Sequence, residues 1–215
     1  SVVGVTLNLQ PQPTNQLFGP RSRILAGRDW LREGFAGLEL RIGADTFFQV
    51  HTLQAERLVP LLVEAFAPAE GLLVDGYCGI GTYSLPLAAA GWRVLGLELH
   101  PGAVELANRN ARLNGLEQRC LFRANAVGEA LESLLPETAA LLLDPPRKGL
   151  EPQAVQAILG APPARLIYIS CDPATLARDL RLLCATAYRP TRIQPIDFFP
   201  NTTHVETVAV LERIG

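Results

Sequence analysis

The 215-residue chain contains no methionine. A natural reading frame opens on one, so Ser1-Val2-Val3 reads as the start of a fragment cut from something longer. Cysteine is scarce: four residues, at positions 78, 120, 171 and 184, lie 42, 51 and 13 apart. No pair has the close spacing of zinc or iron–sulfur ligands, so no metal is expected, and reduced thiols point to the cytoplasm. An excess of either charge is also missing. Nineteen basic against 21 acidic residues give a net charge of −2, which excludes a strong overall basic field but not a local basic patch. Long apolar runs are absent too. Gly71–Val74 and Leu141–Leu143 fall far short of the roughly 20 residues that span a bilayer, and no signal peptide is read at this N-terminus.

What is there suits a packed domain: 48% hydrophobic and 19% charged residues, with a mean hydropathy of +0.18. That composition excludes disorder for most of the chain. At roughly 100–200 residues per domain, the length accommodates one α/β domain and a short appendage. Residues 1–50 are expected to be that appendage, a small β-rich segment, and residues 51–215 the main domain. In the first part, Ser1–Leu9 and Gly37–Ile42 alternate apolar and polar residues as half-buried strands do, and Pro11, Pro13, Gly19 and Pro20 between them are turn signals. The segment has no room for a core of its own and is expected to lean on the main domain.

From Thr52 the period changes. Leu53, Leu58, Leu61, Leu62, Ala65 and Phe66 mark a helix ended by Pro68. Strands are then expected at Leu72–Asp75, Arg93–Glu98, Cys120–Arg123, Ala139–Leu143 and Arg165–Ser170. Helices fall between them at Tyr83–Ala90, Pro101–Asn114, Val127–Leu135 and Pro152–Leu159, with another at Pro173–Ala185. Two late strands, Thr191–Ile196 and Val205–Leu211, have no helix between them and are expected to pair antiparallel at a sheet edge. Apolar strands alternating with helices indicate an α/β, mostly parallel sheet covered on both faces. Ligands in such sheets sit beyond the carboxyl ends of the strands, where Asp75, Glu98, Asp144 and Cys171 all fall.

Asp75-Gly76-Tyr77-Cys78-Gly79-Ile80-Gly81 closes a strand and opens a helix. Its glycines permit a tight turn near a ligand, and Glu98, 23 residues on, suits ribose hydroxyls; the plain alternative is a tight turn with no ligand. A dinucleotide fingerprint wants Gly or Ala where Ser84 stands, which favours an adenosyl cofactor without a pyrophosphate. Asp75 suits an ammonium group better than a phosphate. S-adenosylmethionine carries both an ammonium and a ribose.

Leu142-Leu143-Asp144-Pro145-Pro146-Arg147-Lys148-Gly149 runs a buried strand into a proline-stiffened loop, able to hold Asp144 against a planar substrate edge or simply to turn. Cys171 stands between a strand and a helix N-terminus, whose dipole is expected to lower the thiol pKa; a structural cysteine is the competing reading. Glu206 and His204 near the C-terminus read as a general base with an orienting or RNA-contacting imidazole, or as solvated residues of an edge turn. In Phe47-Phe48-Gln49-Val50-His51, the Gln49 amide reads a base edge or caps a helix.

Taken in order, Phe47–Val50, Asp75–Gly81, Asp144–Gly149, Ser170–Asp179 and His204-Val205-Glu206 resemble the C-terminal catalytic region of the RNA uracil-5-methyltransferase family, whose members make 5-methyluridine in ribosomal and transfer RNA. The resemblance runs over nearly the whole chain and implies a Rossmann-like class I methyltransferase sheet. It also implies S-adenosyl-L-methionine as cofactor and an RNA substrate. By the same resemblance Cys171 is the nucleophile that adds to C6, and Glu206 the base that removes the C5 proton. Gln49, Tyr77, Gly79, Glu98 and Asp144 fall where the family binds the methyl donor or the target base. Thr82 matches a cofactor-contacting position often held by Asn, and Gly76 stands where the family usually has Leu or another apolar residue. Phe47, Phe48 and Arg147 are candidates for holding a splayed-out base. The N-terminal RNA-binding barrel and four-cysteine iron–sulfur site of larger members are not found, and a monomer is expected. A methyltransferase for another nucleobase and a non-catalytic cofactor-binding module are the competing functions.

Overall fold

The computed structural model describes residues 2–13, 18–19 and 21–214. Ser1 and Pro20, which the sequence reading used for a strand start and a turn, lie outside them. Four strands come first: β1 (Gly4–Leu9), β2 (Arg21–Gly27), β3 (Trp30–Phe35) and β4 (Leu38–Gly43). The order then becomes α1 (Thr52–Ala65), β5 (Leu72–Gly76), α2 (Ser84–Ala89), β6 (Arg93–Glu98), α3 (Pro101–Leu113), β7 (Cys120–Ala124), α4 (Val127–Leu134) and β8 (Thr138–Leu143). The chain ends with α5 (Pro152–Gly160), β9 (Arg165–Ser170), α6 (Pro173–Leu183), β10 (Tyr188–Ile196) and β11 (Glu206–Arg213). None of the described helices is long and apolar enough to cross a membrane.

Seven strands form one sheet in the order β10-β11-β9-β8-β5-β6-β7. Strands β5 to β9 pair in parallel, while β11 runs antiparallel to both β9 and β10. The expected antiparallel ending is therefore present, with the last strand slotted inside its partner. Side chains alternate across the sheet, and both faces are apolar. Leu73, Ala140, Leu142, Ile167 and Ile169 meet α1, α2 and α3, whereas Val74, Leu141, Leu143, Leu166 and Tyr168 meet α4, α5 and α6. This two-sided cover explains why the strands read as unbroken apolar runs. Leu141, Leu142 and Leu143 are all fully buried, each contributing roughly 1.5–3 kcal/mol.

The N-terminal strands form two separate antiparallel pairs, β1 with β2 and β3 with β4. The sequence reading missed β2 and β3. Every residue of β2 is exposed, so it has no buried face to write into the sequence. The β3–β4 hairpin did carry a signal: Ala36-Gly37, both at positive φ (50° and 78°), is a tight two-residue turn ahead of the alternating segment Leu38–Gly43. The expectation that this segment leans on the main domain holds for β3–β4. Asn110 of α3 accepts from the Arg41 N–H (2.8 Å) and donates to the carbonyls of Arg41 (3.1 Å) and Ile80 (3.2 Å). Asn114 accepts from the Glu39 N–H and donates back to its carbonyl. Phe35 and Leu40 thereby enter the main core. It fails for β1–β2, whose Val5, Leu7, Leu9, Ile24 and Leu25 stay 43–55% exposed, because that ribbon bonds within itself.

Candidate active site

The order of the sheet reverses at β5, between β6 and β8, and this opens a crevice beyond their carboxyl ends. Past β5 the chain turns through Tyr77, Gly79 and Gly81 at φ of 68°, 55° and 87°. The N–H groups of Tyr77 and Cys78 both donate to the Leu97 carbonyl (2.9 and 3.1 Å), which seats the turn against β6. That seating requires Gly96, since a Cβ there would lie 2.4 Å from the Phe122 ring and 2.7 Å from Cys78 Sγ. Open space faces Gly79, where an added Cβ would meet nothing within 4 Å. Glu98 accepts from the Gly79 N–H (3.2 Å) and the His100 N–H (2.8 Å), which fixes its carboxylate at the rim. Asp75 is buried below. Burial pushes its pKa up to about 7 against the hydrogen bond from Ser84, and the nearby Glu98 charge pushes the same way. Ser84, which sequence reasoning used only against a dinucleotide, thus anchors Asp75.

A cavity of about 760 Å³ takes in Gly79 and Glu98 together with Gln49, Tyr77, Asp144, Cys171 and Glu206, a volume suited to a cofactor-sized ligand. Thr82 lines a smaller chamber beside it, sharing Gln49, Tyr77, Gly79 and Asp144 with the main cavity. Seven of the eight site residues named from the sequence therefore line the main cavity, and the eighth, Thr82, lines the chamber that shares its wall.

Cys171 and Glu206 come from different parts of the chain and meet through the antiparallel strand. Thr207 of β11 pairs with Ser170 of β9, so Glu206 at the start of β11 stands beside the residue that follows β9. Burial pushes Glu206 up to about 7. Burial, and the charges of Glu206 and Asp75, push Asp144 well above the usual carboxylate range. Among the described residues, none donates a hydrogen bond to either carboxyl group. The thiol of Cys171 does not behave as the sequence suggested. Burial and the Glu206 charge push its pKa up, with the Asp144 charge adding, while charge and hydrogen bonding from Arg147 oppose them. The α6 N-terminus is already used: Asp172 accepts from the N–H groups of Ala174 (2.9 Å) and Thr175 (3.0 Å). Its positive end is thus largely spent on a carboxylate rather than on the thiol.

Two further expectations are corrected. Phe48 turns inward and packs edge-on against Phe35 at 5.8 Å, away from the cavity that Phe47 and Arg147 line. His204 does not orient Glu206; its ring meets the Arg147 guanidinium (3.2 Å) and the edge of Phe199 (5.9 Å). Cys78 and Cys120 are buried packing residues. Residues given no role from the sequence also line the cavity: Asn125, just past the end of β7, and Lys148, Glu151 and Phe199. The strand-end rule applied to β7 would have found Asn125. Tyr77 donates to Glu151 (2.6 Å) and Lys148 pairs with it (2.9 Å), a tie that spans two loops and that no local motif announces. Among the described residues no group of three or more His, Cys, Asp or Glu side chains is placed to hold a metal.

The sheet order and the cavity at its switch point define a Rossmann-like class I methyltransferase fold. The chain belongs to the tRNA (uracil-5-)-methyltransferase family, whose model matches residues 22–214. An uncharacterized RNA methyltransferase of Parasynechococcus marenigrum is 50% identical, covering 100% of this chain and 47% of the relative. A second, from Halalkalibacterium halodurans, is 40% identical over 98% of this chain and 47% of its own length. The chain spans about half the length of the curated relatives it matches. Among solved structures, the Pyrococcus abyssi tRNA (uracil-54, C5)-methyltransferase in complex with S-adenosyl-L-homocysteine superposes with a TM-score of 0.84 at 31% identity, covering 98% of this chain and 51% of that one. Pyrococcus horikoshii TYW2 shares the fold alone, at 17% identity and a TM-score of 0.65.

Proposed function

We propose that this chain methylates C5 of a uridine in ribosomal or transfer RNA, through a covalent adduct between Cys171 and C6 of the base. The observation that carries the reading is the meeting of Cys171, Glu206 and Asp144 with the glycine turn and Glu98 in one cavity. S-adenosylmethionine fits that turn. The space over Gly79 is open, Glu98 presents a fixed carboxylate to ribose hydroxyls, and Gln49, Tyr77, Thr82 and Asp144 complete the cradle. When bound, it supplies an electrophilic methyl group for an activated C5.

The protein side chains supply the rest. Uracil C5 is a poor nucleophile until a thiolate adds to C6 and pushes electron density into the ring. Cys171 gives its proton to solvent and forms the S–C6 bond as the C5–C6 π pair shifts toward C5 and the C4 carbonyl, with Arg147 as the cation that favours the thiolate. After methylation, Glu206 as carboxylate takes the proton from C5. The electrons of that C–H bond re-form the C5–C6 double bond and expel Cys171. Phe47 and Arg147 flank the splayed-out base. In this reading residues 51–215 are the methyltransferase domain and residues 1–50 part of a central domain.

RNA containing 5-fluorouridine, incubated with S-adenosylmethionine, tests this directly. Fluorine at C5 cannot leave as a proton, so the protein and RNA should remain joined in a denaturing gel. Cys171→Ala is expected to abolish the joined species, and a cross-link that survives in that variant sinks the nucleophile assignment. Glu206→Gln should accumulate the adduct on ordinary RNA.

A further inference from the structure

The residue before α2, Tyr83, has a role that neither the strand-end rule nor the family motifs assign. Its side chain is 4% exposed, and its hydroxyl has no hydrogen-bond partner among the described residues. A buried hydroxyl left in that state is unfavourable unless a ligand satisfies it. Tyr83 lines the small chamber, of about 30 Å³, together with Gln49, Asp75, Thr82 and Asp144, which is room for a group the size of a water or an ammonium.

The charge around the chamber decides which. Burial pushes the Tyr83 phenol pKa up, and the charges of Asp144, Glu206 and Asp75 push the same way, in that order of strength. No Lys, Arg or His lines the chamber. A carboxylate or phosphate entering it would find no cationic partner and would oppose ionisation of Asp75 and Asp144 at low dielectric, whereas a cation favours it. A sulfonium has no N–H to offer the orphan oxygen. An ammonium suits both conditions: it has N–H groups to donate to Tyr83 Oη and Gln49 Oε1, and its charge offsets the buried carboxyls.

We propose that Tyr83 is a specificity-determining residue of the cofactor site, selecting the amino-acid tail of the methyl donor by its ammonium group. The proposal rests on the reading of S-adenosylmethionine as the cofactor. Its particular content is the hydroxyl.

Tyr83→Phe removes only that hydroxyl and keeps the ring, which packs against Phe35 at 6.2 Å. Calorimetric titration of wild type and variant with three ligands separates the possibilities: S-adenosylhomocysteine, its analogue lacking the amino group, and methylthioadenosine, which lacks the whole tail. The variant is expected to bind S-adenosylhomocysteine about tenfold more weakly, with the other two unchanged. Equal loss for the analogue without the amino group would overturn the ammonium assignment, because the hydroxyl would then serve the carboxylate or the packing. An unchanged affinity for S-adenosylhomocysteine would overturn it as well. Wild type that binds none of the three defeats the cofactor reading itself, a result distinct from either.

Discussion

Replacing Asp179 by Ala should be among the most damaging single changes outside the cavity. Asp179 lies in α6 with 1% of its surface exposed, and its Oδ2 accepts from the Leu150 N–H (2.9 Å) and the Tyr168 hydroxyl (2.7 Å). Both donors are buried. Truncation strands them at about 1–3 kcal/mol each, so the loss is about 2–6 kcal/mol. The pair with Arg178 adds little, because the guanidinium side chain is 45% exposed and can return to water. For a chain of this size, each kcal/mol is worth about 2–4 °C in Tm, so about 4 kcal/mol lowers Tm by roughly 8–16 °C. Tyr168→Phe alone removes one donor and should cost about 1 kcal/mol. In that background the cost of Asp179→Ala should shrink by about 1–3 kcal/mol, since only Leu150 remains to be stranded. Urea unfolding of the four proteins, read as midpoint shifts at constant m-value, gives this coupling. The effect reaches the site, because Leu150 follows the loop that carries Asp144 and Arg147, and Arg178 also holds the Lys148 carbonyl (2.9 Å). A Tm within about 2 °C of wild type, under 1 kcal/mol, or fully additive changes would refute the reasoning.

Two other perturbations concern the site and its supporting turn. The folded Glu206 holds its proton up to about pH 7, against an ordinary value of 4.5. Its burial therefore costs the unliganded protein nothing below pH 4.5 and progressively more up to about 7. Glu206→Gln should be more stable than wild type at pH 8, by about 3 kcal/mol, and no more stable at pH 4, as thermal melts at the two pH values will show. For the same reason release of methylated RNA from the covalent adduct, followed after methyl transfer is complete, should speed up with pH through about 7, since Glu206 acts ionised in that step; a flat profile would count against Glu206 as the base. Gly96→Ala places a methyl 2.4 Å from the Phe122 ring and 2.7 Å from Cys78 Sγ, and should cost about 1–3 kcal/mol in urea unfolding. Phe122→Leu in the same chain should restore part of it.

The parallel strands and their helices were legible in the sequence because burial on both faces leaves apolar runs of fixed length, and because helix starts carry Pro101, Pro152 and Pro173. The glycine turn and the residues at the strand ends were legible for a related reason: local backbone demands and the open end of a parallel sheet are both written in short stretches of chain. The exposed β2 left no such mark, and the hairpin of β3 and β4 is secured by Asn110 and Asn114, far away in sequence. What the residues alone determined was thus the sheet, the turn and the types of side chain at its edge. Only the tertiary structure decided which of them meet. Inserting β11 between β9 and β10 brings Glu206 to Cys171. Burial first, and then that proximity, raise the thiol pKa where the isolated motif predicts that it falls, the helix end being taken by Asp172, because an electrostatic environment is a sum over neighbours that the linear order does not reveal.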